Sequence, residues 1–295
     1  KYSELSNKFN IPKNLLKLID NDQKAFLGLK IVEIIGEDEV NTLDPETIYF
    51  ITNLLNKLDL KEDDLLLDMG CGEGRHTLAA YLREGVHALG IDWSEQDVGT
   101  AAGRIADMQP HAPAGRISFA AGDATALPLG DGTVDVVIAS EILEHIPNYL
   151  TVLEEAKRVL KQGGRLCISV PRQWPEWVCW QLSEGYRNTP GGHIRTFDAT
   201  HLRREVTRQG FVFGGQGSAH ALHVPYWWLK CLFWRWDPEP WLVRTYHKLL
   251  VWDLMRRPWM TRTLDALLNP IMGKSVVLYF TKQDDDKTPP PETAP

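Results

Sequence analysis

The chain has 295 residues, 43% of them hydrophobic, which is enough apolar material for one large domain or two small ones. Its net charge of −7 and isoelectric point near 5.7 leave no global basic field to gather nucleic acid, so no nucleic-acid partner is expected. Four scattered cysteines (Cys71, Cys167, Cys179, Cys231) form no CxxC pair, and no run of 18 apolar residues occurs, so a disulfide framework and a spanning helix are both disfavoured.

Residues 1–64 carry eight Lys, seven Asn and no Arg, whereas residues 65–295 carry seven Lys, seventeen Arg and three Asn. The change fits either a native lysine-rich helical lead-in or a fusion near residues 58–66. The opening KYSELSNKFN lacks the apolar core of a signal peptide, and with the unpaired cysteines this predicts a reducing, cytoplasmic location. IPKNLLKLIDNDQKAFLGLKIVEII has helical spacing of Leu and Ile. DPETIYFITNLLNKLDL is a cleaner helix, with Asp44 as cap, Pro45 at its first position, and Ile48, Ile51, Leu54, Leu55 and Leu58 on one face. Its expected role is to pad a sheet. Residues 1–60 are thus expected to be a helical N-terminal segment, foreign or a cap. The main domain is expected at 61–283, and the proline-rich tail 284–295 is expected to be disordered.

From residue 65 apolar runs alternate with helical stretches. Strands are predicted at LLLDM (65–69), HALGID (87–92), ISFAAGD (117–123), TVDVVIAS (133–140), GGRLCISV (163–170), FVFGGQG (211–217) and SVVLYFTK (275–282). Helices are predicted over 75–84, 94–108, 149–161 and 199–210. This alternation predicts an α/β fold: a Rossmann-like, seven-stranded, mostly parallel sheet with helices on both faces. Two insertions, at about 171–197 and 218–273, hold ten of the eleven Trp and are expected to be helical.

Ligands in such sheets sit beyond the carboxyl ends of the strands, which places interest on DMGCGEGRHT. A dinucleotide fingerprint needs Gly at position 75, which is Arg, and no Lys follows to make a phosphate loop. The spacing is Gly70, Gly72, Gly74. Asp68, just ahead of it, would repel a pyrophosphate and suits a cationic ligand.

DMGCGEGRHT, then GIDWS, then GDATALPLGDGTVDVVIASEILEHI, resembles the class I S-adenosylmethionine-dependent methyltransferases, in particular the ubiquinone and menaquinone biosynthesis branch. The resemblance covers roughly residues 60–215. It implies S-adenosylmethionine as cofactor, with Gly70, Cys71, Gly72 and Gly74 forming its loop and Asp68 near the methionine amino group and sulfonium. It further implies Asp92 on the ribose, Trp93 on the adenine face, Asp123 and Ala124 at the adenine edge, and Ser140 facing the methionine portion.

Methyl transfer needs a base only where the acceptor must lose a proton. His145 in SEILEHI and His193 in GGHIRTF are the candidates, with His145 preferred, and Arg195 is expected to bind an anionic acceptor group bidentately. No metal is expected: HALH (220–223) has no second ligand pair, and EILEH lacks a His at position 141. Trp, Tyr, Lys and Arg interleaved in the insertions, Trp174 among them, suit a large apolar acceptor or a membrane interface. The expected activity is methylation at O or C of a small, lipophilic, lipid- or glycan-linked acceptor, with peripheral membrane contact. The alternatives are a non-catalytic S-adenosylmethionine-binding module and a protein methyltransferase.

Overall fold

The structure, a computed structural model, describes residues 51, 54–108, 114–256 and 258–284. The strands are β1 (Leu65–Met69), β2 (His87–Asp92), β3 (Ile117–Ala121), β4 (Val134–Ser140), β5 (Leu160–Pro171), β6 (Phe211–Ala219) and β7 (Ser275–Lys282). They form one seven-stranded sheet in the order β3-β2-β1-β4-β5-β7-β6, with β7 antiparallel to both its neighbours. This is the mostly parallel Rossmann-like sheet that the sequence predicts.

The apolar runs of β1 and β4 follow from burial on both faces. Leu66, Leu67, Asp68 and Met69 are fully buried, as are Val136 to Ala139. Strand pleating sends alternate side chains to opposite layers. Leu67 and Val137 join Leu153, Ile168, Leu202 and Phe280 on one face, while Leu66, Val136 and Ile138 join Leu78, Cys167 and Val277 on the other. Ile51, Leu54, Leu55 and Leu58 enter this second layer, so the apolar face predicted there does pad the sheet. Arg165 of β5 ties the same segment down, donating to the Leu58 and Asp59 carbonyls and pairing with Asp64 at 2.5 Å. The cap at Asp44 and Pro45, the earlier helix, Ile48 and residues 285–295 lie outside the described residues.

The helices are α1 (Arg75–Tyr81), α2 (Glu95–Gly103), α3 (Ile105–Met108), α4 (Tyr149–Val159), α5 (Gln173–Leu182), α6 (Glu184–Arg187), α7 (Ala199–Arg208), α8 (His223–Leu232), α9 (Trp241–Arg256) and α10 (Trp259–Met272). The helix predicted over 94–108 is broken at Arg104, whose guanidinium reaches the Glu73 carbonyl at 2.7 Å and its carboxylate at 2.6 Å. That contact ties the end of α2 to the glycine loop. The Trp-rich insertions are helical as expected: α5 and α6 follow β5, and α8, α9 and α10 lie between β6 and β7.

Candidate active site

β1 pairs with β2 on one side and β4 on the other, so the strand order reverses at β1 and a crevice opens beyond its carboxyl end. The glycine loop turns there. Gly70 and Cys71 donate their backbone N–H groups to the Ile91 carbonyl at 2.8 and 3.1 Å. Gly70, Gly72 and Gly74 all have positive φ (73°, 50° and 84°), the left-handed region that glycine enters freely. A Cβ would meet Ile142 Cδ1 at 2.4 Å on Gly70 and the Phe119 ring at 2.8 Å on Gly74, whereas one on Gly72 would meet nothing within 4 Å. The outer two glycines therefore serve packing, and Gly72 borders the space open to a ligand.

Asp92 holds this loop from across the crevice. Its Oδ2 accepts from Gly72 N and its Oδ1 from Ser94 N, both at 2.8 Å. Each oxygen keeps a second lone-pair direction for a ribose hydroxyl. Asp68 is fully buried, and its Oδ2 accepts from Thr77 Oγ1 at 2.7 Å and Thr77 N at 3.1 Å. Its Oδ1 has no hydrogen-bond partner. Burial raises the carboxyl to about 6, with Thr77 and Arg75 pulling the other way. A buried carboxylate oxygen without a donor fits the cationic methionine end of S-adenosylmethionine far better than a phosphate. Cys71 is buried, and its thiol is pushed up by burial and by the neighbouring Asp68 and Asp92, so it stays a neutral wall group.

Trp93 follows Asp92 with its ring 79% exposed. Asp123, after β3, accepts from Thr125 N and Oγ1 at 2.8 and 2.7 Å, bonds that lower its pKa, and Ala124 beside it is buried. Ser140 is buried at the end of β4, in register with Ser169. The residues predicted to hold the cofactor therefore lie at the carboxyl ends of β1 to β4.

On the acceptor side, Glu141 leaves β4 with φ of 53°, a conformation costly for a residue with a side chain. The turn it starts carries Glu144 and His145. His145 Nδ1 lies 3.3 Å from the Gly192 carbonyl, and Ile194 N donates to the Glu144 carbonyl at 3.1 Å. His193 Nδ1 meets Glu176 Oε1 at 2.8 Å, and Tyr186 donates to the same oxygen at 2.9 Å. Burial pushes Glu176 up, but these bonds outweigh it and its pKa ends lowered.

The two imidazoles sit 5.1 Å apart, edge to face. His145 is lowered by its enclosure and then by His193. Glu144 is fully buried, neither carboxylate oxygen accepts a hydrogen bond, and burial with the nearby Glu141 raises it well above the usual carboxylate range. Glu144, His145 and His193 bring one potential ligand atom each within 4.8 Å of one another, although no metal was expected. The histidines open on a cavity of about 430 Å³ that Trp180, Arg187 and Ile194 also line. A larger hollow of about 740 Å³ lies by the amino ends of β4 and β5, walled by Asp131, Arg158 and Gln162, and it holds none of the predicted cofactor residues.

Two expected acceptor contacts are placed differently. Arg195 spends its guanidinium on the Ile146 and Pro147 carbonyls at 2.6 and 2.7 Å and stacks over Tyr149, so it clamps the turn carrying His145. Those donors are not presented to an acceptor. Trp174 donates to the Ile271 carbonyl at 3.0 Å and packs on Trp228, joining α5 to the end of α10. Glu144, Glu176, Tyr186 and Thr77 escaped the reading of the sequence. Glu144 and Thr77 stood within the motifs SEILEHI and DMGCGEGRHT, whereas Glu176 lies 17 residues from the His193 it orients.

A model of the methyltransferase domain family matches residues 60–210, just over half of the chain. The chain belongs to this family. The 27-O-demethylrifamycin SV methyltransferase of Amycolatopsis mediterranei (strain S699) is 37% identical over 134 residues, covering 45% of this chain and 47% of that protein. The demethylmenaquinone methyltransferase of Lactococcus lactis subsp. lactis (strain IL1403) is 38% identical over 106 residues, covering 35% and 40%. The chain thus spans less than half the length of these two relatives. Geranyl diphosphate methyltransferase, solved in complex with S-adenosylmethionine, superposes with a TM-score of 0.53 over 79% of this chain and 84% of that one, at 16% identity, a likeness of fold. The loop, Asp68 and Asp92 of this methyltransferase domain fit that cofactor.

Proposed function

We propose that the chain transfers the methyl group of S-adenosylmethionine to an oxygen or carbon of a small lipophilic acceptor, lipid- or glycan-linked. The observation that carries this reading is the His145–His193 pair, which stands beyond the end of β4 and opens on its own cavity. When bound, the cofactor supplies an electrophilic methyl carbon and a neutral thioether leaving group. Asp68 and Asp92 orient it from opposite ends.

His145 works on the acceptor. Its lowered pKa keeps the ring neutral near pH 7, and the Gly192 carbonyl accepts a hydrogen bond from Nδ1–H, so Nε2 is left to accept the acceptor's proton. His193, held by Glu176, packs edge to face against it and limits its movement. Trp180 and Ile194 supply an apolar part of the cavity wall for a lipophilic acceptor, beside the polar Arg187, Asn188 and Thr189. The four cysteines are free and buried, which supports a reducing, cytoplasmic setting.

The test is incubation with cofactor labelled in the methyl group and a lipid extract, followed by mass analysis of labelled products. A labelled lipophilic product that disappears in His145→Ala, with cofactor affinity unchanged, is expected. Label only on protein, or full turnover in His145→Ala, would refute the proposal.

A further inference from the structure

α10 is turned inside out relative to an ordinary surface helix. Met260, Leu264, Leu267 and Ile271 recur at steps of four, three and four, the spacing of a single helical face, and they are 59%, 46%, 67% and 66% exposed. None of its residues is buried. Trp259 at its start is 77% exposed, and in α9 Trp241 and Trp252, three turns apart, are 70% and 43% exposed. Single exposed apolar residues need no explanation, but a continuous apolar stripe does.

The insertion that holds it carries charge of the opposite sense to the whole molecule. Residues 218–273 hold seven Lys or Arg and four Asp or Glu, in a chain of net charge −7. Three of the four acids are engaged locally: Glu239 by Lys230 at 3.2 Å, Asp265 by Asn269 at 2.7 Å, and Asp253 by Thr261. Arg235, Arg244, Lys248 and Arg262 are exposed. An exposed apolar stripe, in an insertion that also exposes Trp and Arg or Lys, matches the layers of a lipid surface, where rings sit at headgroup depth and cations meet anionic phosphates. A second copy of the same face would instead set like charges against each other. No helix among the described residues is long and apolar enough to cross a membrane.

We propose that α10, in the Trp- and Arg-bearing insertion between β6 and β7, docks the protein on an anionic bilayer, where it meets its acceptor. The docking deepens the lipophilic-acceptor reading but needs no turnover. The experiment is co-sedimentation of the full chain with vesicles of phosphatidylcholine alone or with about one-third phosphatidylglycerol, comparing the double variant Leu267→Glu/Ile271→Glu. Binding to the anionic vesicles, weakened by added salt and reduced about a hundred-fold in the variant, is expected. Circular dichroism and calorimetric binding of S-adenosylmethionine, both unchanged in the variant, show that it remains folded.

Failure of the chain to sediment with anionic vesicles at low salt, or equal binding by the variant, would overturn the proposal. So would a vesicle-independent dimer, seen by analytical ultracentrifugation, that the variant dissociates. Vesicle binding without any labelled lipid product would count against the proposed acceptor while leaving the docking intact.

Discussion

Replacing Thr77 with Val removes the hydroxyl that donates to Asp68 Oδ2 at 2.7 Å and preserves the side chain's shape. Asp68 is fully buried and already raised to about 6, chiefly by that burial. A hydrogen bond to a buried ionised group contributes roughly 2 kcal/mol, so its loss moves the ionisation midpoint upward by about one and a half pH units. At pH 7 the ionised fraction then falls from about nine-tenths to about one quarter, which weakens binding of a cationic cofactor about four-fold. The assay is titration calorimetry of S-adenosylmethionine between about pH 5 and 8.5. Affinity of the unaltered protein should rise through the Asp68 midpoint and level off; the variant should level off later and recover most of its affinity at the alkaline end. His76, held to about 3 by burial and Arg75, does not titrate in this window. Thr77→Ser, which keeps the hydroxyl, should follow the unaltered protein. An affinity that ignores pH, or an unmoved midpoint in Thr77→Val, would sink the assignment of Asp68 as the anion facing the cofactor.

The same buried carboxyl costs stability. Its folded pKa of about 6 exceeds the ordinary 3.8, so the fold is favoured below 3.8 and loses up to roughly 3 kcal/mol as pH rises through 6. Asp68→Asn should therefore raise the urea midpoint of the cofactor-free protein at about pH 8, while weakening cofactor binding at least about ten-fold. Gly74→Ala, which meets Phe119 and Ala101, should lower the melting temperature by several degrees, roughly 2 kcal/mol or more. Gly72→Ala, which meets nothing, should cost only about 1 kcal/mol of fold stability yet lose most cofactor affinity by calorimetry. Arg195→Met takes the guanidinium from the Ile146 and Pro147 carbonyls and from the face of Tyr149, so turnover should drop about ten-fold with cofactor affinity unchanged.

Much of the sheet was legible because β1 and β4 are buried on both faces, and such strands must be unbroken apolar runs. The glycine loop was legible for a related reason: close backbone turns at Gly70, Gly72 and Gly74 demand glycine, and those glycines fall within five consecutive residues. Boundaries set by distant partners were not. The break at Arg104 depends on Glu73, 31 residues earlier, and β5 begins at Leu160 because that residue pairs with Val134 across a register shift. Arg195 looked like an anion-binding group until the turn it clamps was in place.

The order of elements, the layer architecture and the acids that frame the glycine loop were determined by local pattern, since burial and backbone conformation act on neighbouring residues. Only the folded chain decided which histidine nitrogen is left over, because Glu176, Gly192 and Glu144 reach His145 and His193 from separate segments. It alone decided, too, that the stripe of α10 faces outward: helical periodicity marks an apolar face, but which neighbour covers that face depends on where the other helices pack.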